Sequence, residues 1–173
     1  QDFPFPAGGI GFLSYEFARF CDTIRFEERV DPLGLPDAVF LFGHVLIIFD
    51  HYSDLLYLIG LNYREHEIDL EAALAETEAA IHDLNFNYLQ AKSEGFSGEV
   101  EESPRERERF ELGVRKVKEE IVTGNLLQGV LSRRLKVRTD MPAIEAYRRL
   151  RSANPAPYLV FLDFGEVQLF AAS

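Results

Sequence analysis

Alternation and periodicity divide the chain into short elements. Residues Ile10 to Tyr15 alternate as a strand behind a segment rich in Pro and Gly. Gly8, Gly9 and Gly11 look like a phosphate loop at first sight. Such loops need a preceding strand and a following helix N-terminus. Here the glycines stand before and inside the strand, so a bulge or a close backbone approach is favoured. The string DPLGLP from Asp31 is turn chemistry. Two apolar runs follow, AVFLFGHVLIIFD and LLYLIGLN, with HYSD between them as a short hairpin loop. Both runs are apolar at most positions, which predicts a central sheet covered on both faces.

A helix is predicted over EIDLEAALAETEAAIHDL, where Leu70, Leu74, Thr77, Ile81 and Leu84 form one stripe. The pattern then dissolves through a linker of Gly, Ser and Glu that ends at Ser103. Ser103, Pro104 and Glu106 supply a hydroxyl cap, a Pro at the first helical position and a reciprocal carboxylate, so a helix starts there. Phe110, Val114, Val117 and Ile121 make its apolar stripe, and Gly124 ends it. LLQGVLSRRLKVRT reads as a strand. Pro142 opens another helix with Ile144, Tyr147 and Leu150 inward, and the stretch from Asn154 to Ser173 gives an extended segment and two strands joined at Gly165 and Glu166. This order of strands, helix, linker, helix, strand, helix and hairpin is α+β with largely antiparallel sheet. The expected division is 1–90, a linker over 91–103, and 104–173.

Charge narrows the partners. With 18 Lys+Arg against 29 Asp+Glu in 173 residues, the formal net charge is −11. That argues against electrostatic binding of nucleic acid or of an anionic membrane surface. No apolar run approaches the roughly 20 residues that span a bilayer. The single cysteine, Cys21, excludes an intrachain disulfide framework and a Cys-based zinc site, and points to a reducing, cytoplasmic compartment. It lies in an apolar and acidic stretch that does not stabilise a thiolate, so it reads as inert. The chain does not begin with Met and is expected to be cut from a longer one.

The candidate chemistry is sparse. His44, His51, His66 and His82 are scattered and show no metal-ligand spacing. His44 reads as a strand histidine satisfied by a neighbour. Asp50 and His51 could form an acid-base couple, but their place in a hairpin turn favours a structural role. Arg133, Arg134, Lys136 and Arg138 form a basic cluster in an acidic chain, and alternation puts Arg134, Lys136 and Arg138 on one face. An anionic substrate and a salt-bridged sheet edge both fit, the edge being favoured. Gln128 is an uncharged amide at an apolar strand start, either facing a ligand or satisfied in a core.

The string KEEIVTGNLLQGVLSRRL resembles the start of the chorismate-binding domain in the family of anthranilate synthase component I and other chorismate-utilising enzymes. YRRLRSANPAPYLVFLDFGEVQLFAAS resembles the next blocks of that family in order, and GGIGFLSYEFARF and VLIIFDHYSDLLYLI resemble its N-terminal region. Gly129 stands where Val is usual, Asn125 where an acid is common, and Leu159 where tryptophan-inhibited members usually have Met.

The resemblance implies a truncated piece of the family's α/β sandwich (the aminodeoxychorismate synthase type). Residues 1–90 would belong to the N-terminal region and 104–173 to an incomplete chorismate-binding domain. It implies a lyase that binds chorismate with Mg²⁺, takes ammonia from a glutamine amidotransferase subunit, and releases anthranilate and pyruvate in tryptophan biosynthesis. Its metal ligands are expected outside this chain. Gln128 matches a position that is a lysine in water-using relatives, where the lysine activates water. An amide cannot serve as that base. Gln128 therefore points to ammonia chemistry, in which the nucleophile is positioned. By the same carry-over Asn154, Pro155, Pro157, Tyr158 and Leu159 match the block beside a tryptophan effector pocket, and Ala172 and Ser173 border the chorismate pocket. Two other readings stay open: aminodeoxychorismate synthase component I, and a non-catalytic scaffold or effector-binding module.

Overall fold

The computed structural model describes residues 8–27, 33–83 and 95–173. The chain divides into two units, Gln1–Ala91 and Lys92–Ser173.

In the first unit, strand β1 (Ile10–Leu13) pairs antiparallel with β2 (Ala38–Leu41). Gly11 lies opposite Phe40, and a Cβ on it would come within 2.8 Å of the Phe40 Cα. The glycine is therefore required by close approach between strands, as its position inside a strand suggested. The strand ends sooner than alternation predicts. The Ser14 hydroxyl accepts the Phe17 N–H at 3.2 Å and donates to Asp37 at 2.8 Å. It thereby caps a short 3₁₀ helix, Tyr15–Phe20, which consumes the end of the expected strand.

The run AVFLFGHVLIIFD is two strands. It breaks at Phe42 to His44, so that β2 pairs backward with β1 while β3 (Val45–Asp50) pairs forward with β4 (Leu55–Gly60). The turn between β3 and β4 is tied by Asp50, whose carboxylate accepts the Tyr52 N–H at 2.9 Å and the Ser53 hydroxyl at 2.5 Å. Helix α1 (Leu70–His82) starts at Asp69, whose side chain accepts the Ala72 N–H. Its stripe of Leu70, Leu74, Thr77 and Ile81 is half-buried, and Leu70 and Leu74 stand against Gly60 of β4. Leu84, expected at the end of this stripe, lies outside the described residues.

A central sheet covered on both faces is not what forms. The described strands make four separate two-stranded antiparallel sheets. In β3 the alternate residues Ile47 and Phe49 are exposed. The physical reason is that apolar content measures what a strand could bury, whereas coverage needs a partner layer, and the described residues of this unit supply one on a single face.

In the second unit, β5 (Gly98–Glu101) pairs antiparallel with β6 (Lys136–Thr139). Strand β5 falls in the stretch expected as linker. Its ends are held by the Ser97 N–H on the Asp140 carboxylate, 2.9 Å, and the Thr139 hydroxyl on the Ser97 carbonyl, 2.6 Å. Four residues with one apolar side chain, Val100, give too weak a pattern to stand out. Helix α2 (Pro104–Val122) carries the full capping box of Ser103 and Glu106. Gly124 follows it at φ +83, a left-handed conformation that glycine adopts without a Cβ penalty.

The strand expected over 126–139 shrinks to β6. Residues 126–135 belong to no ladder among the described residues. Helix α3 (Ala143–Ala153) packs on the hairpin of β7 (Leu159–Asp163) and β8 (Gln168–Ala172). Its Tyr147 ring lies 5.5 Å from Phe161 and 6.5 Å from Phe170. Leu162, 6% exposed, is the one buried core residue among those described. Ile144, expected inward beside Tyr147 and Leu150, is instead 44% exposed.

Candidate functional site

The sequence-derived candidates fall on two segments of the second unit. The first is the extended stretch after α2. A Cβ built on Gly129 would lie under 3.0 Å from Cγ1 of Val117. One built on Gly113 would lie 3.5 Å from Leu131, and the Arg133 guanidinium sits 5.6 Å over the Phe110 ring. Residues 129, 131 and 133 therefore face α2 in descending register along it. The two-residue period of extended backbone puts Gln128, Val130 and Ser132 on the other side. Leu127 and Val130 are 100% and 85% exposed. Gln128 is exposed, and its amide has no hydrogen-bond partner among the described residues.

The second segment is the β7–β8 hairpin with its approach. Asn154 caps α3, its N–H donating to the Leu150 carbonyl at 2.8 Å. Pro155 and Pro157, both exposed, then lead through a bend at Pro157 to Tyr158. Leu159 pairs with Ala172, and Tyr158 and Ser173 exchange both backbone hydrogen bonds at 3.1 and 2.9 Å. The structure thus brings the expected effector residues Tyr158 and Leu159 against the expected substrate residues Ala172 and Ser173. It does not bring Gln128 into hydrogen-bonding contact with either pair.

The other candidates resolve as structural. Asp50 is held below the ordinary aspartate range, first by the Ser53 hydroxyl and then by the Tyr52 N–H, so it is a turn cap. His44 Nδ1 is 2.9 Å from the Leu61 carbonyl, and its ring meets Tyr63 and His66 edge-on. The basic strand is a salt-bridged edge. Arg133 pairs with Glu102, Arg138 pairs with Glu101 at 3.1 Å, and the ladder sets Lys136 opposite Glu101 and Arg138 opposite Glu99. Cys21 is exposed.

Among the described residues no three His, Cys, Asp or Glu side chains gather where they could hold a metal ion. Gln128, Ala172 and Ser173 themselves carry no carboxylate, so these three residues do not fit a Mg²⁺ site. No helix of the described residues is long and apolar enough to cross a membrane.

Sequence reasoning missed the close approach of Gly129 to Val117, one residue from Gln128. The signal was present: a glycine interrupts the apolar alternation directly after the amide.

Comparison with known proteins gives a consistent answer. The chain is 57% identical over 177 residues to anthranilate synthase component 1 of Spirochaeta aurantia, covering 100% of this chain and 36% of that protein. It is 32% identical over 176 residues to anthranilate synthase component 1 of Thermus thermophilus, covering 98% of this chain and 36% of the relative. The crystal structure of anthranilate synthase component I from Streptococcus pneumoniae TIGR4 superposes with a TM-score of 0.75 at 28% identity, over 100% of this chain and 40% of that one. The chain therefore spans about a third of the length of the relatives it matches. The family model for chorismate binding enzymes matches residues 2–173, across both units, and the chain belongs to that family.

Proposed function

We propose that this chain is part of an anthranilate synthase component I, a lyase that converts chorismate and ammonia to anthranilate and pyruvate in tryptophan biosynthesis. The observation that carries this reading is the 57% identity to a protein of that name along 100% of the chain. In this reading residues 1–90 are the N-terminal region and 104–173 begin the chorismate-binding domain. The enzyme works in the cytoplasm. Its ammonia comes from a glutamine amidotransferase subunit, component II.

Gln128 orients the ammonia. An amide both donates and accepts hydrogen bonds, so it can hold a neutral nucleophile without removing a proton from it. An exposed amide with no hydrogen-bond partner among the described residues is free for that work. Asn154, Pro155, Pro157, Tyr158 and Leu159 form one wall of a tryptophan effector pocket, and Ala172 and Ser173 border chorismate. The paired backbone of Tyr158 and Ser173 is a direct route by which tryptophan at the first group alters the second. The enzyme uses Mg²⁺, held by residues outside this chain.

The test is a fluorescence assay of the full-length polypeptide with chorismate, ammonium and Mg²⁺. Anthranilate is expected, and its formation is expected to fall when tryptophan is added. Accumulation of an aminated chorismate that retains its enolpyruvyl group would instead identify aminodeoxychorismate synthase chemistry. The 173-residue chain alone is expected to form no product, because its described residues assemble no metal-binding carboxylates.

A further inference from the structure

One residue from Gln128, the backbone comes so near α2 that only a glycine fits without a shift. Gly129 sits on α2 with its Cα facing Val117, and the remaining Val117 side-chain atoms, Cβ and Cγ2, lie 3.6 Å from where a Cβ would be. Val117 cannot readily swing aside, because a β-branched side chain in a helix has one strongly preferred rotamer. Any Cβ at 129 must therefore push the extended segment off the helix. Ordinary carbon–carbon contact lies near 3.5–4.0 Å, so the retreat is on the order of 1 Å. Gln128 is the adjacent residue on the opposite side and moves with the backbone. Leu131 against Gly113 and Arg133 over Phe110 hold the rest of the segment in register, which concentrates the displacement at 128 and 129.

We propose that Val117 and Gly129 are positioning residues for Gln128, setting the distance of its amide from the reacting centre by permitting the segment to lie flush on α2. This rests on the reading of Gln128 as the group that orients ammonia. Misplacing such a group by 1 Å costs about 100-fold in rate.

The experiment compares variants of the full-length polypeptide with chorismate and ammonium, each checked for folding by circular dichroism. Gly129→Ala is expected to lower kcat about 10- to 100-fold while leaving the KM for chorismate unchanged. Adding Val117→Ala to it is expected to restore most of that loss. In a Gln128→Ala background, Gly129→Ala is expected to cost nothing further, because the group it misplaces is gone. Should Gly129→Ala not fold, Val117→Ile adds one methyl group at the same contact and is expected to show a smaller loss of the same kind.

The outcomes separate. If Gln128→Ala keeps the wild-type rate, the role of Gln128 is wrong, and this inference falls with it. If Gln128→Ala is impaired but Gly129→Ala costs its full factor in that background, or Val117→Ala gives no rescue, Gln128 keeps its role and the positioning inference is overturned.

Discussion

Two regions with similar apolar patterns end in different states. The β3–β4 hairpin with α1 closes on itself: six consecutive residue pairs, from Val45–Gly60 to Asp50–Leu55, line up, and Leu70 and Leu74 of the helix meet Gly60. Residues 126–135 read equally well as a strand, yet they pair with no strand among the described residues and lie against α2 at Gly129, Leu131 and Arg133. The hairpin has its partner a short turn away, at little loop-closure entropy. The extended segment has a helix on one side and no strand beside it among the described residues. Apolar alternation states that a segment has one face to bury, and it does not state what will cover that face or complete its ladder.

Substitutions can break or sharpen that comparison. The largest effect is expected where an element closes its own core. Tyr147→Ala removes the ring that bridges Phe161 and Phe170, and a half-buried aromatic of this kind is expected to contribute roughly 2–3 kcal/mol, read from the urea midpoint. Gly60→Val tests the closed hairpin. Its Cβ would start 3.0 Å from Leu70 and Leu74, so overpacking of about 1–2 kcal/mol is expected in the same measurement. Ser103→Ala removes one half of the capping box of α2 and is expected to cost about 1 kcal/mol. Val130→Ser lies on the open side of the extended segment, and a change within about 0.5 kcal/mol is expected. A loss as large as that of Tyr147→Ala would show that residues 126–135 bury their outer face after all.

The smallest effect concerns pH. The Asp163 carboxylate is held below the ordinary aspartate value near 3.8, first by the Gly165 N–H and then by the Gln168 amide, both at 2.9 Å. A lowered folded-state pKa stabilises the β7–β8 hairpin above the unfolded value, and that contribution disappears as pH falls through the lowered one. Carboxyl resonances followed by NMR should place the Asp163 midpoint below 3.8. In Asp163→Asn the acid-side loss of hairpin stability between the unfolded and folded values should vanish. A midpoint at the ordinary value would mean that the turn is open in solution.

Local grammar was legible because its causes are local. Ser103, Pro104 and Glu106 cap a helix by themselves, Gly165 turns a hairpin by itself, and a stripe at helical spacing marks the face that α1 presents. The family blocks around Gln128 and from Asn154 to Ser173 were legible for a related reason, since they are contiguous strings. The break of one apolar run into β2 and β3, the strand hidden in the expected linker and the exposure of Ile144 were not legible, because each depends on a partner distant in sequence. By itself, then, the sequence determined the helices, their caps, the hairpin turns and the family. Tertiary structure alone decided that β1 pairs with β2 and β5 with β6, that Tyr158 and Ser173 exchange backbone hydrogen bonds, and that Gly129 lies on Val117 with Gln128 turned outward. Periodicity records which side of an element is apolar, while pairing, coverage and close approach are fixed by groups that only the folded chain brings together.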